Sequence, residues 1–525
     1  MLGFLYALRN TIWPASFSFK LEYGNSGGSS RNSVAEMIQS YCPSLSGMAN
    51  IPSPTRWLPS GHFQTLYSAI GNFSKVDHVN YKRKVFLTPD GGTVAMDIAP
   101  PELAQASSPE NEDVPTVVVL HGANTPVTSP QLYSASKTAD LESALLLLGK
   151  MYPKSPLMGL GFSLGGAIMA KYLGEAGTRT PLIGAVCVGA PFQVDETSKA
   201  LESSAISRVY SRAMGQNLMN VLRRHVDTLA LLPSLWGILE LGFAEKIKPA
   251  SQEPLPQPDK NGPARGTLRF VDHYITGRIG GYPAPYGEFP FESAEDYYMH
   301  ASPANVLHKI ARPTLALNAD DDPIVPLKEL DSVHIALKKN PNLILAHSKH
   351  GGHLGWFASL SAVRWVHNPV GEFLAALLQQ YEEAKHSDPT QGLGSGGPSL
   401  SYWSKNQVNQ LQVQVEILPV SALPPILAGV SPKTHAEADV PKEATRANLT
   451  TEPQHAWLLT QVLDQMPLVH PKDSPKRQAQ PTQYPLQQGK ILNLTMVRHQ
   501  LTQNQVVNCP EIGFLELPDD AVVGT

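Results

Sequence analysis

The sequence predicts an α/β chain, with a mostly parallel sheet covered by helices on both faces. Three observations carry this. Short, wholly apolar runs recur: TVVVL (116–120), LMGLGF (157–162), LIGAVCVGA (182–190), TLALN (314–318) and NLILAH (342–347). Strands buried on both faces read this way. Segments with helical patterning separate these runs, at about 135–150, 164–175, 327–339 and 371–385. Strands alternating with helices imply parallel pairing, because parallel neighbours need a crossover. Upstream, KVFLTPDGGTVAMDIAPP (84–101) sets two alternating runs around Pro-Asp-Gly-Gly, which predicts a β-hairpin.

The chain divides by composition into an arm (1–54), an α/β domain (55–385) and a tail (386–525). Within the arm, residues 24–50 are rich in Gly and Ser and read as loose. The start, MLGFLYALRNTIWPASF, is apolar but short, and Arg9 and Pro14 interrupt it. It is expected to pack or lie on a surface rather than act as a signal peptide, with peripheral membrane or lipid-droplet contact left open. Residues 194–300 break the strand–helix rhythm. Helical stretches near 196–225 and 234–246, a Pro-rich loop (249–264) and GRIGGYPAPYGEFPFES predict a lid insertion over the carboxyl ends of the strands. After Lys385, Gln, Pro, Ser and Thr dominate without sustained periodicity, so the tail is expected to be mostly disordered. WLLTQVLDQM (457–466) is the one helical candidate there.

Composition excludes several function classes. The 525 residues carry a net charge of -4, with no basic stripe and no aromatic–basic interleaving, so nucleic acid is not expected as a partner. Cys42, Cys187 and Cys509 are odd in number and widely spaced, neither a disulfide framework nor a zinc pattern. Cys187 falls inside an apolar run and is expected in the core. No run of 18 or more apolar residues predicts a membrane span. Together these predict an intracellular, cytoplasmic protein. No cofactor or metal is expected.

Gly161-Phe162-Ser163-Leu164-Gly165 matches G-x-S-x-G. Alone the match is weak, since roughly 0.2 would arise by chance in a chain this long. Its context is stronger: a buried strand precedes it and a helix opening on small residues follows, as a nucleophile elbow requires. A serine hydroxyl needs a base, and the base needs an orienting acid. Asp320-Asp321-Asp322-Pro323 follows the strand TLALN, and Asp322 is favoured over Asp321 because Pro-Ile-Val-Pro fixes the turn after it. His350-Gly351-Gly352-His353 follows the last strand, and its paired glycines let a loop drop an imidazole onto the serine. His353 is preferred, with His350 and His347 as alternatives. The predicted triad is Ser163, Asp322 and His353, with backbone oxyanion donors at Leu164 and at Ala123, after His121-Gly122.

Six segments together resemble the YheT-like α/β-hydrolases, especially the fungal medium-chain fatty acid ethyl ester synthase/esterases. They are GHFQTLYS (61–68), VVVLHG (117–122), ANTPVTSPQLYSA (123–135), GFSLGG (161–166), LNADDDPIVP (317–326) and GGHLGW (351–356). The resemblance implies the α/β-hydrolase fold, hydrolysis of medium-chain acyl esters and acyl transfer to alcohols. One interval departs from it. Gly122 and Ser163 are 41 residues apart. A helix, a strand, a second helix and the elbow strand would need on the order of 70 residues. One helix–strand unit is therefore expected to be missing after Gly122, leaving the sheet without a central strand and the Ala123 donor in a shortened connection. Two other readings stay open: a catalytically impaired or truncated relative, and a membrane-associated acylglycerol lipase or phospholipase.

Overall fold

The computed structural model describes residues 17–24, 33–49, 52–71, 73, 79–87, 93–104, 113–121, 132–230, 236–244, 247, 257–281, 287–387, 490–495 and 514–515. In chain order the main elements begin with β1 (Phe19–Tyr23), α1 (Ser33–Tyr41), α2 (Gly61–Ile70), β2 (Lys82–Leu87), β3 (Thr93–Ala99) and β4 (Thr116–Leu120). Next come α3 (Ala139–Met151), β5 (Leu157–Phe162), α4 (Leu164–Ala176), β6 (Leu182–Val188), α5 (Val194–Ser203), α6 (Ala205–Arg224) and α7 (Trp236–Phe243). Then follow α8 (Ala294–Ala301), β7 (Thr314–Ala319), α9 (Leu330–Leu337), β8 (Leu343–Ser348), the short pair β9 (Phe357–Ala358) and β10 (Val363–Arg364), and α10 (His367–Ser387). Two strands from the C-terminal region complete the list, β11 (Lys490–Thr495) and β12 (Phe514–Leu515).

The main sheet runs β1-β8-β7-β6-β5-β4-β11-β3-β2-β12. Neighbours from β4 to β8 pair in parallel, and β2–β3 is the antiparallel hairpin expected from its sequence. Alternation along each strand feeds two cores. Val117, Val119, Leu160 and Val186 pack with α10 residues Phe373 and Leu374 and with Met37 and Ile38 of α1. Val118, Leu120, Ala185 and Cys187 pack on the other face with Leu145 and Leu148 of α3, Ile168 and Leu173 of α4, and Val333 of α9. This is the three-layer α/β-hydrolase fold. Both faces are covered, which is why the parallel strands read as unbroken apolar runs.

Two expectations are corrected. The segment 24–50, read as loose, holds α1, and β1 directly precedes it. β1 pairs antiparallel with β8 and covers that sheet edge. Beyond α1, Ser44 gives Glu372 of α10 hydrogen bonds of 2.8 Å from its N–H and 2.7 Å from its hydroxyl. Residues 25–32 of that stretch lie outside the described residues. The tail, expected to be mostly disordered, supplies β11 and β12.

The second correction concerns the missing unit. The described residues between β4 and β5 hold one helix, α3, as the 41-residue interval required. The slot left between β3 and β4 is nevertheless filled. β11 runs parallel to β4, Lys490 opposite Thr116 through Leu494 opposite Leu120, and antiparallel to β3, Ile491 opposite Ala99 through Thr495 opposite Ala95. A strand slot inside a sheet carries two rows of backbone donors and acceptors, and unpaired buried groups are costly. A segment almost 370 residues downstream of β4 meets that demand.

Residues 194–300, between β6 and β7, contain α5, α6, α7, most of α8 and a further turn of helix around Asp272–Thr276 with π-type hydrogen bonding. They carry their own core of Met219, Leu222, Leu239, Phe270 and Ile275. The helical candidate at 457–466 lies outside the described residues. Among those described, no helix is long and apolar enough to cross a membrane.

Candidate active site

β5 ends at Phe162 and α4 begins at Leu164, so Ser163 alone makes the turn. Its backbone is left-handed, at φ 51° and ψ −119°. Such conformations cost on the order of 1–3 kcal/mol and persist where the surroundings hold them. The flanking glycines explain how the turn closes. A Cβ at Gly161 would sit 2.5 Å from the Gly165 carbonyl oxygen, and one at Gly165 would strike the Leu120 and His121 carbonyl oxygens at the end of β4. The turn thus raises Ser163 at the carboxyl ends of the strands, beside the N-terminus of α4. The first N–H groups of a helix lack intrahelical acceptors, and Leu164 is the first residue of α4.

The structure brings the three residues of the sequence-derived triad together. His353 Nε2 lies 2.8 Å from Ser163 Oγ, and His353 Nδ1 lies 2.8 Å from Asp322 Oδ2. Both His353 and Asp322 are buried. A carboxylate only accepts, so Nδ1 carries the proton and Nε2 is left to accept from the serine hydroxyl. Asp322 is held by its own loop: Oδ1 accepts from the backbone N–H groups of Ile324 (2.8 Å) and Val325 (2.9 Å). Pro323 favours that turn.

The neighbouring acids do different work. Asp321 Oδ1 accepts from the N–H groups of Gly351 (2.9 Å) and Gly352 (2.8 Å), so it shapes the histidine loop from beneath. Asp320 Oδ1 lies 2.6 Å from His347 Nδ1 and raises the pKa of that imidazole. His350 approaches Asp321 at 3.5 Å. Neither alternative histidine is placed on the serine.

Sequence reasoning missed several supports. Thr65 of α2 accepts from the His353 N–H through Oγ1 (2.8 Å) and donates to the Gly61 carbonyl (2.7 Å). Ser68 donates to the Leu354 carbonyl (3.1 Å). The segment GHFQTLYS therefore braces the histidine loop, and its recurring polar residues at helical spacing were the available signal. Ala123, the second expected oxyanion donor, lies outside the described residues.

An apolar cavity of about 130 Å³ opens on Ser163 and Leu164. Met214, Leu218 and Leu222 of α6 wall it on one side and Val325 on another, so the insertion covers the serine as a lid would. Asp272 is the one charged residue in its lining. It accepts from the Tyr298 hydroxyl at 2.8 Å, and burial pushes its carboxyl up to about 6. Burial likewise lifts the phenols of Tyr133, Tyr297 and Tyr298 above the usual tyrosine range.

Asp272 gives the fold a pH dependence. Between the ordinary aspartate value and about 6, the folded chain keeps a proton that the unfolded chain has released. The unfolding free energy therefore declines as pH rises through that window. Replacing Asp272 with Asn should remove this decline, a difference on the order of 3 kcal/mol between pH 4 and pH 7. Urea unfolding of both proteins across that range measures it.

Among the described residues, no group of three or more His, Cys, Asp or Glu is arranged to hold a metal ion. No family model matches the chain. Curated relatives do. A monoacylglycerol lipase of Saccharomyces cerevisiae is 27% identical over 411 residues, 65% of this chain and 84% of that protein. The human monoacylglycerol lipase ABHD2 is 27% identical over 386 residues, 66% of this chain and 84% of that protein. The human phospholipase ABHD3 is 22% identical over 360 residues, 62% of this chain and 78% of that protein. The chain thus has the α/β-hydrolase fold, and its homologues include lipases of that superfamily.

Proposed function

We propose that this chain is a serine-dependent carboxylic ester hydrolase and acyltransferase acting on medium-chain acyl esters, with Ser163 as nucleophile, His353 as base and Asp322 as its orienting acid. The observation that carries the reading is the continuous Asp322–His353–Ser163 hydrogen-bond chain opening into an apolar cavity. Ser163 Oγ attacks the ester carbonyl while His353 Nε2 takes its proton, and Asp322 stabilises the imidazolium. The Leu164 N–H faces the developing oxyanion, with Ala123 proposed as the second donor. His353 then protonates the departing alcohol, leaving an acyl-serine. Water or a second alcohol, deprotonated by His353, releases the acyl group as acid or new ester.

The cavity's 130 Å³ of apolar space suits an acyl chain, and the medium-chain preference is what the sequence resemblance implies. Acylglycerols are the proposed natural class, since the named activities of the relatives include monoacylglycerol lipase. Cys42 and Cys187 are buried free thiols, which suits a reducing compartment, and the cytoplasm is the proposed site of action.

A fluorophosphonate probe should label the full chain at Ser163, and S163A should not be labelled. A p-nitrophenyl ester series from acetyl to palmitoyl should show its highest kcat/KM at medium length. No labelling of a folded full chain would instead support the catalytically impaired reading.

A further inference from the structure

The outer face of the lid carries a feature that catalysis does not use. α6 walls the cavity with Met214, Leu218 and Leu222, and turns its other side to solvent. On that side Ile206 and Val209 are more than half exposed. α6 has four arginines, Arg208, Arg212, Arg223 and Arg224, and no acidic residue, in a chain whose net charge is -4. At 100° per residue, Arg208 and Arg212 fall along one edge of the exposed arc, with Val209 between them and Ile206. Beside it, α2 exposes Phe63, Leu66 and Ile70 and contains no Asp, Glu, Lys or Arg. His62 of α2 and Tyr210 of α6 join the two faces, their rings stacked at 5.7 Å and Nδ1 2.9 Å from the phenolic oxygen.

Single exposed apolar side chains are ordinary, but five on two helices joined through His62 and Tyr210 exceed that expectation. A basic edge and an apolar centre are the two components of an interfacial amphipathic surface. In the neighbouring acidic helix α5, Asp195 and Glu196 pair with Lys199, and Glu202 accepts from the Ser211 hydroxyl at 2.8 Å through its carboxylate and from Arg208 at 3.1 Å through its backbone carbonyl. The patch also borders the candidate active site. α2 is the helix that braces His353 through Thr65. Burial, and then the charge of Asp322, push up the pKa of the Tyr210 phenol.

We infer that the joined outer faces of α6 and α2 dock on an anionic phospholipid bilayer, with Phe63, Leu66, Ile206 and Val209 entering the acyl boundary and Arg208 and Arg212 meeting lipid phosphates. This deepens the proposed function and rests on it, because it sets the helix that walls the cavity against the surface where acylglycerols reside. The other side of α6 then faces the acyl chain inside the cavity.

The test is co-sedimentation of the full chain with phosphatidylcholine vesicles made with and without phosphatidylserine. Binding should require phosphatidylserine and weaken with salt. R208E/R212E should lower the partition coefficient at least about tenfold. I206S/V209S should lower it by a similar factor. Both variants should hydrolyse a soluble p-nitrophenyl ester within about twofold of the parent. Absent binding, or binding unchanged in both variants, overturns the inference. So does binding lost only on removing residues 1–16, which would assign it to the N-terminal segment. Sedimentation velocity showing a dimer that the variants convert to monomer would make a second copy the occupant. If the parent binds vesicles but turns over no soluble ester, the proposed function fails and the surface stands.

Discussion

D322N is expected to lower kcat by about four orders of magnitude while D321N leaves most of it. The two carboxylates are adjacent in sequence and both are tied to the histidine loop, but in different ways. Asp322 meets the ring: it accepts from Nδ1 and thereby sets the tautomer that leaves Nε2 free to take the serine proton. An amide at that position can present its NH2 group to Nδ1, which favours the wrong tautomer and removes the charge that stabilises an imidazolium. Asp321 meets only the backbone, at Gly351 and Gly352. An asparagine there still offers one carbonyl oxygen to both N–H groups, so the expected loss is that of a charge-assisted bond becoming neutral, on the order of 1 kcal/mol. Single-turnover rates with a p-nitrophenyl ester separate the cases, and circular dichroism checks that each variant is folded. Equal losses in D321N and D322N would remove the distinction.

The contrast also shows why part of the site was legible in the sequence. Ser163 sits in a strand–turn–helix context that few sequences produce without a nucleophile elbow, and its left-handed backbone follows from the glycines around it. Asp322 was chosen over Asp321 because Pro323 fixes a turn, and that turn is the one that offers Ile324 and Val325 N–H groups to the carboxylate. These are local effects, spanning a few residues. Thr65 was not assignable, because its bond to the His353 N–H joins residues 288 positions apart. Nothing in the neighbourhood of either residue encodes the other. The sheet shows the same division. Strands β4 to β8 are visible as apolar runs because burial on both faces acts at each position. The missing unit was visible as a length that could not hold two helices and two strands. The occupant of the resulting slot was invisible, since KILNLT is a short run inside a segment of Gln- and Pro-rich composition.

That occupant leads to the second large expected effect. Introducing Leu492→Pro into the full chain should lower Tm by more than about 10 °C and reduce esterase activity at least about tenfold. β11 is an interior strand, pairing with β4 on one side and β3 on the other. Proline removes a ladder donor and is confined to edges and bulges in natural sheets. Its ring also fixes φ near −65°, away from extended values. If β11 leaves the slot, β3 and β4 each present a row of unpaired N–H and C=O groups in the middle of the sheet. A few such groups, at about 1–3 kcal/mol each, approach the whole stability of an ordinary domain. The effect on activity follows from position. β4 ends at Leu120, and the Leu120 and His121 carbonyls pack directly under Gly165 at the start of α4. Movement of β4 therefore shifts the floor beneath Ser163 and the segment that leads to Ala123. A chain ending at residue 387 should behave as L492P does, and a synthetic peptide spanning residues 487–498 should restore part of its Tm by refilling the slot. Leu492→Val, which keeps the backbone donor, should leave both measurements near the parent. If L492P and the truncated chain keep the parent Tm and activity, the pairing of β11 with β3 and β4 contributes nothing to the folded enzyme.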